Sequence, residues 1–344
     1  MDSKRLVSID IARAICIILV VIGHYVPEDS PSWYTTIRDV IYSFHMPLFM
    51  FVSGFVYWAT RKPIKYKDFV GIKFQRLMVP YFFTSLVVIT IKLLTENGLS
   101  VESQVDFSAF YKMFYLPVAG AFLWFVFALF LMFLIIPFFN TRKHLLILLL
   151  FSLVLYFFPV TVTKIFCLAQ FKVNLLYFVL GCVLFEWTNI RHIFDKTHFL
   201  IALCIFAGMY LLNSYIDVIA IKTIFMLFIA FVGIVFISNL SRLIELKMAF
   251  TKKILLDVSV CSYTIYLFHT TFQGFAKALI LKIPSIVNFE NQLVFVFVVL
   301  IVILTGVICP MILHKIIIRH SRLFSYLIGA KYKTPKIEKK NASA

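Results

Sequence analysis

Apolar runs close to the length of a membrane span recur along nearly the whole chain, separated by short polar connections. The first, Ile9 to Tyr25 (IDIARAICIILVVIGHY), is apolar at almost every position yet contains Asp10, Arg13 and His24. On a helix turning about 100° per residue, Arg13 and His24 differ by about 20° and Asp10 and His24 by about 40°. The three groups therefore share one face, with His24 about 21 Å beyond Asp10 along the axis. An Arg or Asp near the centre of a membrane helix costs roughly 2.5 to 3.5 kcal/mol, so this stripe is expected to face a bundle interior or a wet cavity.

Counting apolar runs in the same way predicts about ten helices, at 9–26, 40–60, 74–94, 120–139, 144–160, 172–188, 198–215, 219–238, 259–281 and 292–318. The fold class they imply is all-α, a polytopic membrane helical bundle. Alternate connections (1–8, 61–76, 140–143, 189–197, 239–253 and the end of the chain from Lys315) carry 24 of the 33 Lys and Arg residues. The intervening connections are poorer in base and richer in acid, as in Pro-Glu-Asp-Ser at 27–30. That bias predicts an even number of spans with both termini cytoplasmic. Residues 1–320 read as one membrane domain and 321–344 as a basic cytoplasmic tail, whose 331–340 stretch suits anionic lipid headgroups.

Composition narrows the picture further. With 62% hydrophobic and 14% charged residues in 344, a soluble core is excluded. The net charge of +17 is distributed as topology requires, so no nucleic-acid partner is expected. Lys4 and Arg5 precede the first run as in a signal peptide, but Asp10 and Arg13 interrupt it and no small-residue cleavage site follows, which predicts a retained span. The six cysteines have no metal-ligand spacing and read as small core residues, with no metal site expected.

Candidate chemistry lies in four places. His24 ends the first span where His45, in Phe-His-Met-Pro-Leu-Phe at 44–49, begins the second, so two imidazoles are expected in one layer; Ser53 and Gly54 follow. At the other end of the second span, Arg61, Lys62, Lys65 and Lys67 precede Lys-Phe-Gln-Arg at 73–76, where Lys73 and Arg76 are one turn apart. Such cations suit a phosphate-bearing ligand, although topology alone also places basic residues there. Tyr263, Tyr266 and His269 lie in the ninth run, with His269 expected near mid-membrane, either as a functional group or as an interhelical hydrogen bond. Trp124 reads as an interfacial anchor or a wall for a sugar ring, and Asn174 and Glu186 as weaker candidates. The loop 95–119, with Glu96, Glu102 and Asp106, reads as a cover for an external cavity or as a solvated connector. A neutral histidine at such a place can take a proton from an alcohol attacking an acyl group, or accept the acyl group itself. A proton relay or a translocation site would use the same residue types.

Four segments resemble one family in order. Ser-Ile-Asp-Ile-Ala-Arg at 8–13 leading to Gly23-His24, the 44–54 segment, Lys-Phe-Gln-Arg-Leu-Met-Val-Pro-Tyr at 73–81 and Ser-Tyr-Thr-Ile-Tyr-Leu-Phe-His at 262–269 are similar to acyltransferase family 3, the integral-membrane O-acyltransferases. The resemblance runs from about residue 5 to 320. It includes that family's Arg, ten residues, His signature, met by Arg13 and His24. It implies transfer of an acyl group, commonly acetyl, from cytoplasmic acyl-CoA to a hydroxyl of a cell-surface carbohydrate or its lipid-linked precursor, in a cell (inner) membrane. His24 would be catalytic, with Arg13, Asp10 and His45 beside it. Lys73, Arg76, Arg61 and Lys62 would hold the donor, Lys73 standing where the family usually has Arg. Trp124, Ser53, Tyr263 and His269 are the remaining substrate or structural candidates. No bound cofactor is expected besides acyl-CoA as substrate, and the soluble esterase-like domain of many members is expected to be absent or separate. The rival readings are a polysaccharide or lipid-linked glycan exporter and a scaffold subunit.

Overall fold

The computed structural model describes residues 7–27, 30–159, 162–187, 199–280, 282 and 291–334. Lys4 and Arg5, Glu28 and Asp29, the 189–197 connection and the tail from 335 lie outside these. Every regular element among the described residues is helical: α1 Val7–His24, α2 Ser32–Tyr42, α3 His45–Thr60, α4 Tyr66–Lys73, α5 Val79–Leu94, α6 Ala109–Lys112, α7 Trp124–Ile135, α8 Arg142–Phe157, α9 Leu168–Glu186, α10 Phe199–Asn213, α11 Ile219–Lys247, α12 Ala249–Ile280, α13 Gln292–Ile316 and α14 Arg322–Leu327. Among the described residues, seven helical stretches are long and apolar enough to cross a membrane. The all-α reading is borne out, and helix covers part or all of each of the ten runs predicted from the sequence.

Helix α1 is central. It packs against α12, α11, α3 and α13, and its buried residues (Ile11, Ala12, Ala14, Cys16, Ile17, Val20, Val21, Gly23) surround most of its circumference, as expected for a helix apolar on nearly every side. Around this axis α3 pairs with α9, α12 with α13, α8 with α9 and α10 with α11. Four cysteines are buried as expected, but Cys204 on α10 is exposed.

Between α4 and α5 the helix widens into a π-turn over Phe74–Met78. Pro80, lacking an N–H, cannot satisfy the Arg76 carbonyl four residues back. The turn after α14 packs there: Gly329 closes α14 with φ +67°, and Ala330 N–H donates to Ser325 O at 2.8 Å. A Cβ on Gly329 would lie 2.9 Å from the Arg76 carbonyl oxygen. Gly329→Val, which adds a β-branched side chain at positive φ to that contact, is expected to cost about 1–3 kcal/mol. A drop in the thermal midpoint of the detergent-solubilised protein would register it, and an unchanged midpoint would contradict this packing.

Candidate active site

The polar stripe of α1 turns inward against α12, along a seam that runs the length of α1. Near its start, the Arg13 guanidinium pairs with Asp10 at 3.0 Å and donates to Ser259 Oγ at 2.8 and 3.1 Å. Eleven residues on, the His24 ring stands beside His269 of the same α12, with ring centroids 5.2 Å apart. One turn past His269, Gln273 Nε2 donates to the Val21 carbonyl at 2.9 Å and ties the two helices together next to His24. Arg13 and His24 thus meet polar groups of one neighbouring helix while Asp10 is paired with Arg13, which offsets the cost of keeping the three within an apolar bundle.

His269 sits level with His24 at the end of the seam. Helix α12 begins at Ala249, ten residues before the predicted 259. Lys252 and Lys253, read as connection in the sequence, lie inside the helix. The His269 Nδ1–H is shared by the carbonyls of Tyr266 (2.9 Å) and Ile265 (3.2 Å), leaving a buried Nε2 with no hydrogen-bond partner among the described residues. His45 is reached from His24 across Tyr42: Tyr42 lies 6.2 Å from the His24 ring and 4.8 Å from that of His45, whose Nδ1–H donates to Ile41 O at 2.8 Å.

The residue that sequence reasoning did not single out is Glu102. Its Oε1 lies 2.7 Å from His24 Nδ1, while Oε2 accepts the Ala121 N–H at 2.7 Å. Burial alone would push the Glu102 carboxyl up, but the His24 contact and charge, the His269 ring and the Ala121 N–H together hold it below the usual carboxylate range. The 95–119 loop delivers this carboxylate because it is itself folded. Lys92 Nζ donates to Ser103 O (2.6 Å) and Lys277 Nζ to Ser100 O (3.2 Å), and Asn97 bonds both N–H and C=O of Val105. Gly274 lets Leu99 lie against α12, since a Cβ there would fall 2.0 Å from the Leu99 carbonyl oxygen.

A helix length away, about 24 Å along α3, an open cavity of about 1040 Å³ gathers Arg61, Lys62, Lys73 and Arg76 on its lining. Arg61 stacks over Trp58 at 3.5 Å, and Glu186 accepts from Trp58 Nε1 (2.8 Å) and Arg142 Nε (2.9 Å). Glu186, a weak candidate in the sequence, therefore anchors the cavity rim. Lys73 Nζ lies 3.7 Å over the Phe133 ring, with Tyr57 and Phe69 at 5.5 and 5.3 Å. Rings fill the interior from there toward His24: Phe49 on Phe125 (4.8 Å), Phe125 and Phe122 on Tyr266 (5.5 Å each), and Phe122 on His24 (5.8 Å). Tyr266 donates its hydroxyl to Phe122 O, whereas the buried Tyr263 hydroxyl has no hydrogen-bond partner among the described residues. Trp124 opens α7 one turn past Ala121, half-buried against the core. Ser53 turns back to its own helix, donating to Phe49 O at 2.8 Å.

A polytopic helical bundle with a histidine–carboxylate pair at one end and a cation-lined cavity at the other has the parts of a membrane-embedded transferase. The family described as an acyltransferase domain, acyltransferase family 3, matches residues 6–314, and the chain belongs to it. It is similar to the nodulation protein NolL of Mesorhizobium japonicum, 29% identical over 157 residues that cover 42% of this chain and 38% of the relative. It is also similar to NolL of Sinorhizobium fredii, 32% identical over 96 residues, 26% of each chain. The chain thus spans less than two-fifths of the length of these curated relatives. No solved structure matches.

Proposed function

We propose that the protein is a multi-pass O-acyltransferase of the cell (inner) membrane. It carries an acyl group, acetyl in the simplest case, from cytoplasmic acyl-CoA to a hydroxyl of a cell-surface carbohydrate or its lipid-linked precursor. Ten spans with both termini cytoplasmic place the four-cation cavity at the cytoplasmic end and His24 at the outer end. The single observation that carries the reading is the His24–Glu102 pair, whose Nδ1 contact leaves Nε2 for a substrate proton.

In the direct form, His24 Nε2 takes the hydroxyl proton as that oxygen attacks the thioester carbonyl carbon. The C–S bond breaks and the sulfur leaves with the proton as free CoA thiol. In the relay form Nε2 first accepts the acyl group with release of the thiol, then passes it to the hydroxyl. Arg61, Lys62, Lys73 and Arg76 hold the donor's phosphates, and Tyr263, His269 and Trp124 border the route to the acceptor. Asp10 and Arg13 neutralise each other and fix α1 on α12. The packed rings between cavity and histidine support passage of a thin pantetheine arm with local side-chain movement over export of a whole glycan.

The test uses inside-out vesicles given labelled acetyl-CoA, with the membrane and surface glycan then recovered. Label in the glycan is expected. Glycan delivered to the surface with no protein-dependent label would remove the enzyme reading in favour of export. Thiol release in a single burst without acceptor selects the relay. Arg76→Ala is expected to raise the KM for acetyl-CoA about tenfold or more while sparing kcat, as loss of one charge-assisted phosphate bond implies.

A further inference from the structure

A second open cavity lies near the His24 end, between α2, α8, α10 and α11, with a volume of about 440 Å³. Its lining mixes a carboxylate (Asp39), an amide (Asn213), an ammonium (Lys222), a threonine hydroxyl (Thr223) and two tyrosines (Tyr156, Tyr210). Among the described residues Asn213 Oδ1 has no hydrogen-bond partner, and its Nδ2 reaches the thioether of Met226 at 3.7 Å, a weak acceptor. A half-buried amide so poorly partnered on the cavity wall can turn its oxygen and nitrogen toward a polar molecule bound there at little cost.

The lining groups suit a hydroxyl-rich ring. Sugar hydroxyls are bound edge-on by carboxylate and amide groups, and the C–H faces of a pyranose pack on tyrosine. The volume falls within the roughly 300–1,000 Å³ of small-ligand sites. Helix α2 connects this cavity to the histidine. Asp39 and Ser43, one turn apart, line the cavity, and between them Tyr42 lies over Gly23 and 6.2 Å from the His24 ring, with its hydroxyl donating to Gly23 O at 3.3 Å.

We propose that this cavity is a carbohydrate subsite for the acceptor. It binds one part of an oligosaccharide so that an adjoining unit crosses Tyr42 and presents its hydroxyl to His24. The proposal rests on the acyl-transfer reading for its link to His24, and on the cavity's own chemistry for carbohydrate binding.

The test is binding of the protein in nanodiscs to an array of hexose, N-acetylhexosamine and hexuronate oligosaccharides, with labelled-acetyl transfer measured in parallel. The native protein is expected to bind at least one array class, and Asn213→Leu to weaken that binding at least tenfold with an unchanged elution profile and melting midpoint. Thr223→Leu serves as a second variant, because the Thr223 hydroxyl bonds only to Ile219 O of its own helix among the described residues. Absence of binding by the native protein, or equal binding by both variants, overturns the subsite. Transfer that persists with cavity-independent binding removes the subsite and leaves the transferase. Cavity-dependent binding without transfer leaves the glycan site and removes the transferase.

Discussion

Glu102→Gln is expected to lower kcat for acyl transfer about 10²- to 10⁴-fold, a loss of roughly 3 to 5 kcal/mol of transition-state stabilisation. The substitution is nearly isosteric and keeps an oxygen for the Ala121 N–H, so the loop retains the bond that seats it. What disappears is the negative charge 2.7 Å from His24 Nδ1, which fixes the proton on that nitrogen and stabilises the imidazolium formed when Nε2 takes the acceptor's proton. His24→Ala is expected to cost at least as much. Residues that act as one unit are not additive, so the double variant should be no slower than His24→Ala alone. Costs that multiply in the double variant would show that Glu102 serves the loop and not the histidine. Because the folded carboxyl is held below its usual range, its contribution is complete above the ordinary carboxylate pKa and is lost only as pH falls through the lower folded value. Glu102 therefore sets an acid limit on activity and none near neutrality.

What the sequence made legible follows from which geometry is local. The angle between Arg13 and His24 is a property of one α-helix, so the shared face could be computed before any fold was known. The cation cluster was readable for the same reason, since Arg61, Lys62, Lys73 and Arg76 lie within a short stretch. Nothing in the spacing separates Glu102 from Glu96 or Asp106. Its place beside His24 depends on Lys92, Asn97 and the missing side chain at Gly274, whose joint effect is tertiary. Asp106 spends its carboxylate on the Ser108 N–H, and Glu96 sits at positive φ just past the end of α5. Of the rings around Lys73, Phe69 lies one turn before it on α4, but Tyr57 and Phe133 come from α3 and α7, so that part of the surround was equally hidden. The start of α12 was missed because Lys252 and Lys253 were read as connection although the helix continues through them.

Gly181→Leu is expected to abolish recovery of folded, monodisperse protein. Helices α3 and α9 touch backbone to backbone: a Cβ on Gly181 would fall 2.0 Å from the Phe51 carbonyl oxygen, and one on Gly54 would fall 1.9 Å from that of Phe178. Both approaches are far inside van der Waals contact, and the obstructing atoms are main chain, so no rotamer change relieves them. Small residues that allow such approach are how membrane helices gain packing energy when lipid supplies no hydrophobic drive between them. Cys182 Sγ adds a donor to Gly54 O at 3.3 Å across the same contact. Separating the pair displaces two functional regions together, since α3 begins at His45 and ends beside Trp58 and Arg61, while α9 ends at Glu186. Gly181→Ala, the smallest version of the insult, is expected to cost about 1–3 kcal/mol or more and to lower the melting midpoint measurably. Gly208→Ala is the matched control, because nothing lies within 4 Å of a Cβ there. Removing a helical glycine at an open site is expected to leave stability level or to raise it by about 0.5–1 kcal/mol. Equal midpoints for Gly181→Ala and Gly208→Ala would refute the close crossing on which the spacing between the two ends of the site depends.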